Sequence, residues 1–226
     1  MSKDNKYIVP IKILNHTPNT FCQGLVYYDN ILYESSGLFG SSFIQKYLDN
    51  DRVVRKKLPD NVFAEGICIL NNILYCLTWV KSELFAFDLD FKLIYCKKFI
   101  LDTCWGFGTD GKYFIVSDGS NKIYWIDPVT FNYVRIIDTK IHGLNALTYH
   151  NEKIYVNQFM SNLIVKIDLT DIDNITTYNL DKIMKLESNA ETYFNVPNGI
   201  AYIENSDNLF YITGKNWDKI YLVKLD

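Results

Sequence analysis

Five residues hold the same place in a repeated phrase: Gln23, Glu65, Trp105, Asn145 and Asn198 each precede a small residue and then an apolar run. A second set stands just past the strand-like run that follows, at Gly37, Trp79, Asp118, Phe159 and Gly214-Lys215. Together the two sets supply a carboxylate, side-chain amides, an ammonium and aromatic walls. That is the make-up of a binding pocket, mostly apolar with a few convergent polar groups. Plainer readings exist for each residue. Glu65 and Lys215 also read as a structural ion pair, and Asn145 and Asn198 as caps on strand ends. Asp118, in Ser-Asp-Gly, reads as a turn residue, and Trp125 and Trp217 as packing.

What would bring the two sets together is the repeat itself. Gln23-Gly24-Leu25 leads to Leu32–Ser36, Glu65-Gly66-Ile67 to Leu74–Thr78, and Trp105-Gly106-Phe107 to Phe114–Ser117. Asn145-Ala146-Leu147 leads to Tyr155–Gln158, and Asn198-Gly199-Ile200 to Phe210–Thr213. Successive starts, near 23, 65, 105, 145 and 198, are 42, 40, 40 and 53 residues apart, close to the period of a four-stranded propeller blade. The expectation is an all-β, five-bladed β-propeller forming a single domain over residues 1–226. In such a ring the innermost strands begin at one face of the central channel, so residues in equal register converge there. A sandwich of the same strands would have no reason to repeat a polar-Gly-apolar phrase at a fixed period.

The ends of the chain carry a further expectation. Tyr7–Leu14 precedes the first repeat without its signature, and Pro10, which lacks an amide donor, suits a sheet edge. The fifth repeat stops after a third strand, Lys219–Leu225. The N-terminal strand is therefore expected to complete the last blade and fasten the ring. The extra residues before the fifth repeat, about 182–196, are expected to form a short helix or a loop covering one face.

Composition narrows the function classes. With 23 Lys and Arg against 26 Asp and Glu, the net charge of −3 argues against a nucleic-acid or membrane-surface partner. The 17 Tyr, 14 Phe and 4 Trp favour strands, where rings pack well on pleated surfaces. No stretch is long enough to span a bilayer, and Met1–Lys6 is polar with no signal-length apolar run after it, so a cytoplasmic location is expected. Cys22, Cys68, Cys76, Cys96 and Cys104 are odd in number and lack C-x-x-C spacing, which suits reduced thiols, most of them buried. His16, His142 and His150 read as scattered loop residues without metal-ligand spacing, so no metal is expected.

At the level of motifs, a resemblance is specific. The runs Phe21–Leu25, Leu32–Gly40, Phe63–Ile67, Leu77-Thr78-Trp79, Trp105-Gly106, Ser117-Asp118-Gly119, Leu144-Asn145, Asn198–Ala201 and Thr213-Gly214-Lys215 resemble, in order and over nearly the whole chain, those of the plant- and bacterial-type glutaminyl-peptide cyclotransferases. The resemblance implies a five-bladed propeller that converts N-terminal glutamine of peptides or proteins to pyroglutamate with release of ammonia, without cofactor or catalytic metal. It implies that Glu65 transfers the proton, that Trp79 and Trp105 wall the glutamine pocket, and that Asn145 and Lys215 are polar catalytic residues. Gln23, Glu34, Phe159 and Asn198 complete the expected substrate-binding set, and the chain is taken as a monomer. Departures are visible too. The family usually has Leu-Asn-Glu-Leu-Glu where this chain has Leu144–Thr148, Trp where Phe159 stands, Pro at Asp218 and Thr at Cys22.

Two other functions fit the residue types. A lactonase-like hydrolase would gather Glu65, Asn145, Asn198 and Asp118 around a divalent ion, and a non-catalytic propeller would use the same pocket to bind peptides or partner proteins.

Overall fold

A computed structural model describes residues 5–48, 52–188 and 194–226. Five antiparallel four-stranded blades follow one another along the chain. The first is Cys22–Tyr28, Ile31–Ser36, Phe43–Tyr47 and Val53–Lys57, and the second Ala64–Leu70, Ile73–Thr78, Glu83–Phe87 and Leu93–Lys98. The third is Phe107–Thr109, Phe114–Ser117, Lys122–Ile126 and Tyr133–Asp138. The fourth holds Leu144–His150, Lys153–Gln158, Leu163–Asp168 and Ile175–Asn179, and the fifth Pro197–Tyr202, Leu209–Gly214 and Lys219–Lys224. The all-β five-bladed propeller expected from the repeat is borne out.

Local chemistry explains the hairpins. Asp29-Asn30, Asn71-Asn72 and Asn151-Glu152 join the first and second strands of their blades with positive φ at both residues. That is the two-residue turn whose twist matches the flanking strands, and Asn and Asp tolerate it best.

Closure uses the N-terminal segment in two pieces. Lys12–Asn15 pairs antiparallel with Lys219–Lys224 and completes the fifth blade, as expected. The strand expected over Tyr7–Leu14 is divided, however: Asn5–Tyr7 instead adds a fifth, parallel strand to the fourth blade beside Ile175–Asn179. Pro10 lies between the two pieces, where its missing N–H costs no ladder bond. The helix expected within 182–196 is Asp181–Met184, with Ile183 buried against Ile8 and Leu180. Residues 189–193 of that segment lie outside the described residues.

The apolar core is divided among the blade interfaces. One cluster lies between each adjacent pair, such as Leu77, Leu84, Phe107, Phe114 and Tyr124 between the second and third blades. The smallest joins the fifth blade to the first, through Cys22, Leu25, Leu32, Ala201 and Ile220. A ring of hydrogen bonds stitches the inner strands together. Ser35 Oγ donates to Glu65 O at 2.5 Å, Gly66 N to Trp105 O at 2.9 Å and Ser117 Oγ to Asn145 O at 2.9 Å. Gly199 N donates to Asn157 Oδ1 at 3.0 Å, and Asn198 Nδ2 to Cys22 O at 2.9 Å.

Candidate active site

The glycine of the repeated phrase is dictated by how closely the inner strands approach. A Cβ on Gly106 would lie 1.9 Å from Asn145 O, and one on Gly66 would lie 2.5 Å from Phe107 N. No side chain fits there. The residue before the small one is aimed by a β-bulge. Register slips between Cys22 and Gly24, Ala64 and Ile67, Leu144 and Leu147, and Pro197 and Ile200. A bulge leaves a residue out of the ladder and re-aims its side chain. In this way Gln23, Glu65 and Asn145 turn toward one end of the channel.

They enter a hollow of about 180 Å³ lined also by Trp79, Trp105, Phe159, Lys215, Phe21, Phe63 and Phe194. Phe63 packs edge-on to Trp79 with ring centroids 5.4 Å apart, and Trp105 edge-on to Phe159 at 5.2 Å. The Lys215 Nζ lies 4.9 Å from the centroid of Phe21 and 5.3 Å from that of Phe159, so the ammonium sits between two π faces. Lys215 itself is fixed by its backbone, which donates to Val196 O at 3.0 Å and bridges to Phe21. Trp79 and Phe194, 37% and 61% exposed, form the lip.

Burial sets the electrostatics. Desolvation raises the Glu65 carboxyl well above the usual carboxylate range, with the Lys215 charge pulling the other way. Desolvation lowers Lys215 below the usual lysine value, opposed by Glu65 and then Cys22. Among the described residues the two form no direct ion pair, so the structural-pair reading loses its contact. Glu65 Oε1 instead accepts from Gln23 Nε2 at 3.3 Å. Asn145 Oδ1 is buried without a partner among the described residues. The arrangement is a carboxyl whose pKa burial raises, an amine and an amide facing one aromatic space, equipped to move protons and to oppose a growing negative charge.

The other expected site residues fall elsewhere. Glu34 does not line the hollow: it is fully buried between the first and fifth blades, accepting from His16 Nε2 at 2.8 Å, Gln45 Nε2 at 2.7 Å and Tyr47 OH at 2.5 Å. The reason is register, since Glu34 sits on the second strand opposite Leu25 and points into the seam. Asn198 stands behind Gln23, donating to Gln23 Oε1 at 2.7 Å. Asp118 is occupied in its own turn by Ser120 N, Ser120 Oγ and Tyr124 OH. Gly37 and Gly119 leave room for the rings of Phe63 and Trp105. Of the ion-binding set imagined for a lactonase, only Glu65 and Asn145 reach the hollow. No group of three His, Cys, Asp or Glu side chains among the described residues could hold a metal ion. Thr148 lines a separate cavity of about 90 Å³ formed by the far ends of the inner strands, so that departure lies away from the hollow.

Phe21, Phe63 and Phe194 were not assigned from the sequence. The first two had a readable signal, each standing two residues before a channel residue. Phe194 had none, because it belongs to the extra segment. His150 is also not a loop residue: it ends the strand Leu144–His150 and stacks on Tyr202. The five thiols are free, four of them buried and Cys96 exposed. No helix among the described residues is long and apolar enough to cross a membrane.

Comparison with known proteins agrees with this fold. The family model described as glutamine cyclotransferase matches residues 3–225. A glutaminyl-peptide cyclotransferase of Arabidopsis thaliana is 33% identical over 220 residues, covering 93% of this chain and 68% of that protein. The crystal structure of Myxococcus xanthus glutaminyl cyclase superposes with a TM-score of 0.88 at 24% identity, over 100% of this chain and 99% of that one. A catalytically inactive virginiamycin B lyase of Staphylococcus aureus shares the fold more distantly, with a TM-score of 0.54 at 13% identity over 93% and 68% of the two chains. With a family match over nearly its full length and a curated relative at one-third identity, the chain belongs to the glutamine cyclotransferase family.

Proposed function

We propose that the aromatic hollow converts N-terminal glutamine of peptides or proteins to pyroglutamate, with Glu65 as proton carrier. The reaction forms a bond between the α-amine nitrogen and the side-chain carboxamide carbon of one residue, then breaks the bond from that carbon to NH2. The enzyme therefore has to hold a folded-back conformer and move protons, which is work for positioning. An α-amine has a pKa of about 7.7–8.0, so its neutral form is accessible near neutrality. The leaving nitrogen departs only once protonated. Glu65 takes the proton from the attacking amine and hands it to the departing NH2, which leaves as ammonia.

Lys215 and the Asn145 amide donors oppose the negative charge that develops on the carbonyl oxygen. The unpartnered Asn145 Oδ1 supplies an acceptor for an N–H of the substrate. Trp105, Phe159 and Phe63 exclude water and hold the side chain, while Trp79 and Phe194 leave the following peptide free to extend outward.

The observation carrying this reading is the convergence of buried Glu65, Asn145 and Lys215 in one hollow without a direct Glu65–Lys215 pair. The test is incubation of purified protein with a Gln-initiated peptide, read by mass spectrometry. The expected product has lost one ammonia, and a Glu65→Gln enzyme is expected to lose about 10²–10⁴-fold in kcat. Absence of turnover in the wild type, or a near-normal rate in Glu65→Gln, would refute it.

A further inference from the structure

We propose that Asn198 is a positioning residue that acts through Gln23 to fix which oxygen of Glu65 carries the proton. This rests on the reading of Glu65 as proton carrier.

The argument starts at a group that cannot turn over. The Cys22 carbonyl is an acceptor in any arrangement, and Asn198 Nδ2 donates to it at 2.9 Å. An inverted Asn198 amide would set its oxygen against that carbonyl, so the NH2 end must face it. The same nitrogen gives its second proton to Gln23 Oε1 at 2.7 Å. With its oxygen committed as acceptor, Gln23 can only present Nε2 to Glu65 Oε1, at 3.3 Å. A backbone carbonyl thus sets the polarity of three side chains in series, each of them buried. Asn198 Oδ1 is left buried and unpartnered among the described residues, a costly choice that places both amide protons on the Cys22 and Gln23 side. Because a carbonyl oxygen accepts a hydrogen bond better than a hydroxyl oxygen does, the Gln23 donor on Oε1 directs the proton to the other oxygen, Oε2. The titratable groups that reach Glu65 from neighbouring elements are Lys215, Cys76 and Cys104; Gln23 and Asn198 do not titrate, so their effect is one of orientation.

A double-mutant cycle separates this from a structural role. Asn198→Ala and Gln23→Leu are each expected to lower kcat roughly tenfold, as for loss of a hydrogen bond to a charged group. Asn198→Ala, which does not line the hollow, is expected to leave KM within about twofold, and both variants to move the acid limb of the kcat profile upward, because a donor to the ionised carboxylate is lost or misdirected. The double variant is expected to match Gln23→Leu alone. An Asn198→Ala loss that persists undiminished in the Gln23→Leu background, or an Asn198→Ala enzyme with wild-type kcat and pH profile, would overturn the proposal. If Asn198→Ala does not fold, infrared titration of the Glu65 carboxyl band in Gln23→Leu, assigned by its absence in Glu65→Gln, reads the same link. A band shifted from wild type supports the relay, and an unmoved one overturns it. Near-normal activity in Glu65→Gln would refute the proton-carrier reading instead, leaving the infrared result to judge the orientation.

Discussion

A carboxyl pushed upward by burial is a cost that the fold carries for the sake of its site. Because the folded pKa of Glu65 lies above its unfolded value, the folded state holds a proton that the unfolded chain releases as pH rises above about 4.5. Stability attached to Glu65 is therefore present in acid and lost as pH climbs toward the raised value. Glu65→Gln, which cannot ionise, is expected to raise the Tm above wild type at pH 8, with the gain shrinking toward pH 4.5. Thermal unfolding at the two pH values checks this, and a larger gain in acid would contradict it. At the opposite wall, Phe159 packs on Trp105 and beneath Lys215. Phe159→Trp adds area and an N–H donor and is expected to lower KM by roughly 2–10-fold with kcat little changed, an effect in the range of one aromatic contact. Steady-state kinetics on a Gln-initiated peptide measure it.

The elements deliver these residues through bulges and near-contacts of backbone. Where Gly106 passes Asn145 there is no volume for a methyl group, and the atom it would strike is main chain. Gly106→Ala is expected to cost about 1–3 kcal/mol of stability and to lower kcat by displacing Asn145, with calorimetry and kinetics on the same preparation as the measurement. A loss of stability without loss of rate would show that Asn145 tolerates the shift. By contrast, Thr148, on the same inner strand, borders only the far cavity. Its missing carboxylate leaves the hollow's own charges unaltered.

For the molecule as a whole, the seam between the fifth and first blades decides whether the ring closes. Its apolar cluster is the smallest of the five, and a polar network fills the remainder. Burial lowers the His16 pKa, but the charge and hydrogen bond of Glu34 outweigh this and leave it raised; burial raises Glu34, and His16 and Tyr47 outweigh that and leave it lowered. His16 Nδ1 also donates to Trp217 O at 2.7 Å, so one imidazolium ties the N-terminal segment to both flanking blades. The sign follows from the two directions. The Glu34 contribution is complete above about pH 4.5 and lost as pH falls through its lowered value; that of His16 is complete below about pH 6.5 and lost as pH rises through its raised value. His16→Ala strands the buried Glu34 charge and is expected to cost about 3–5 kcal/mol. Denaturant unfolding near pH 6 measures it, and a cost below 1 kcal/mol would show that the seam does not depend on the pair.

The five repeats, the residues at their starts and the glycines beside them were legible in the chain, because a blade is built from neighbours in sequence and each must meet the same channel. The N-terminal closure was legible from a strand short at one end and one to spare at the other, though not its division around Pro10. Glu34 and Asn198 were named but misplaced. Nothing local says which face of the second strand meets the seam, or that an amide stands behind another amide instead of beside a substrate. Those outcomes rest on partners such as Asn198 and Gln23, 175 residues apart, and on Phe194, carried to the lip by a segment outside the repeat. Sequence by itself determined the fold and the types of chemical group at the channel mouth, since these follow from pattern and spacing, while the family was legible as a resemblance of motifs. Which groups touch, which way each amide points and which charges lose their water were decided only when the ring closed, because burial and direction are properties of the assembled interior.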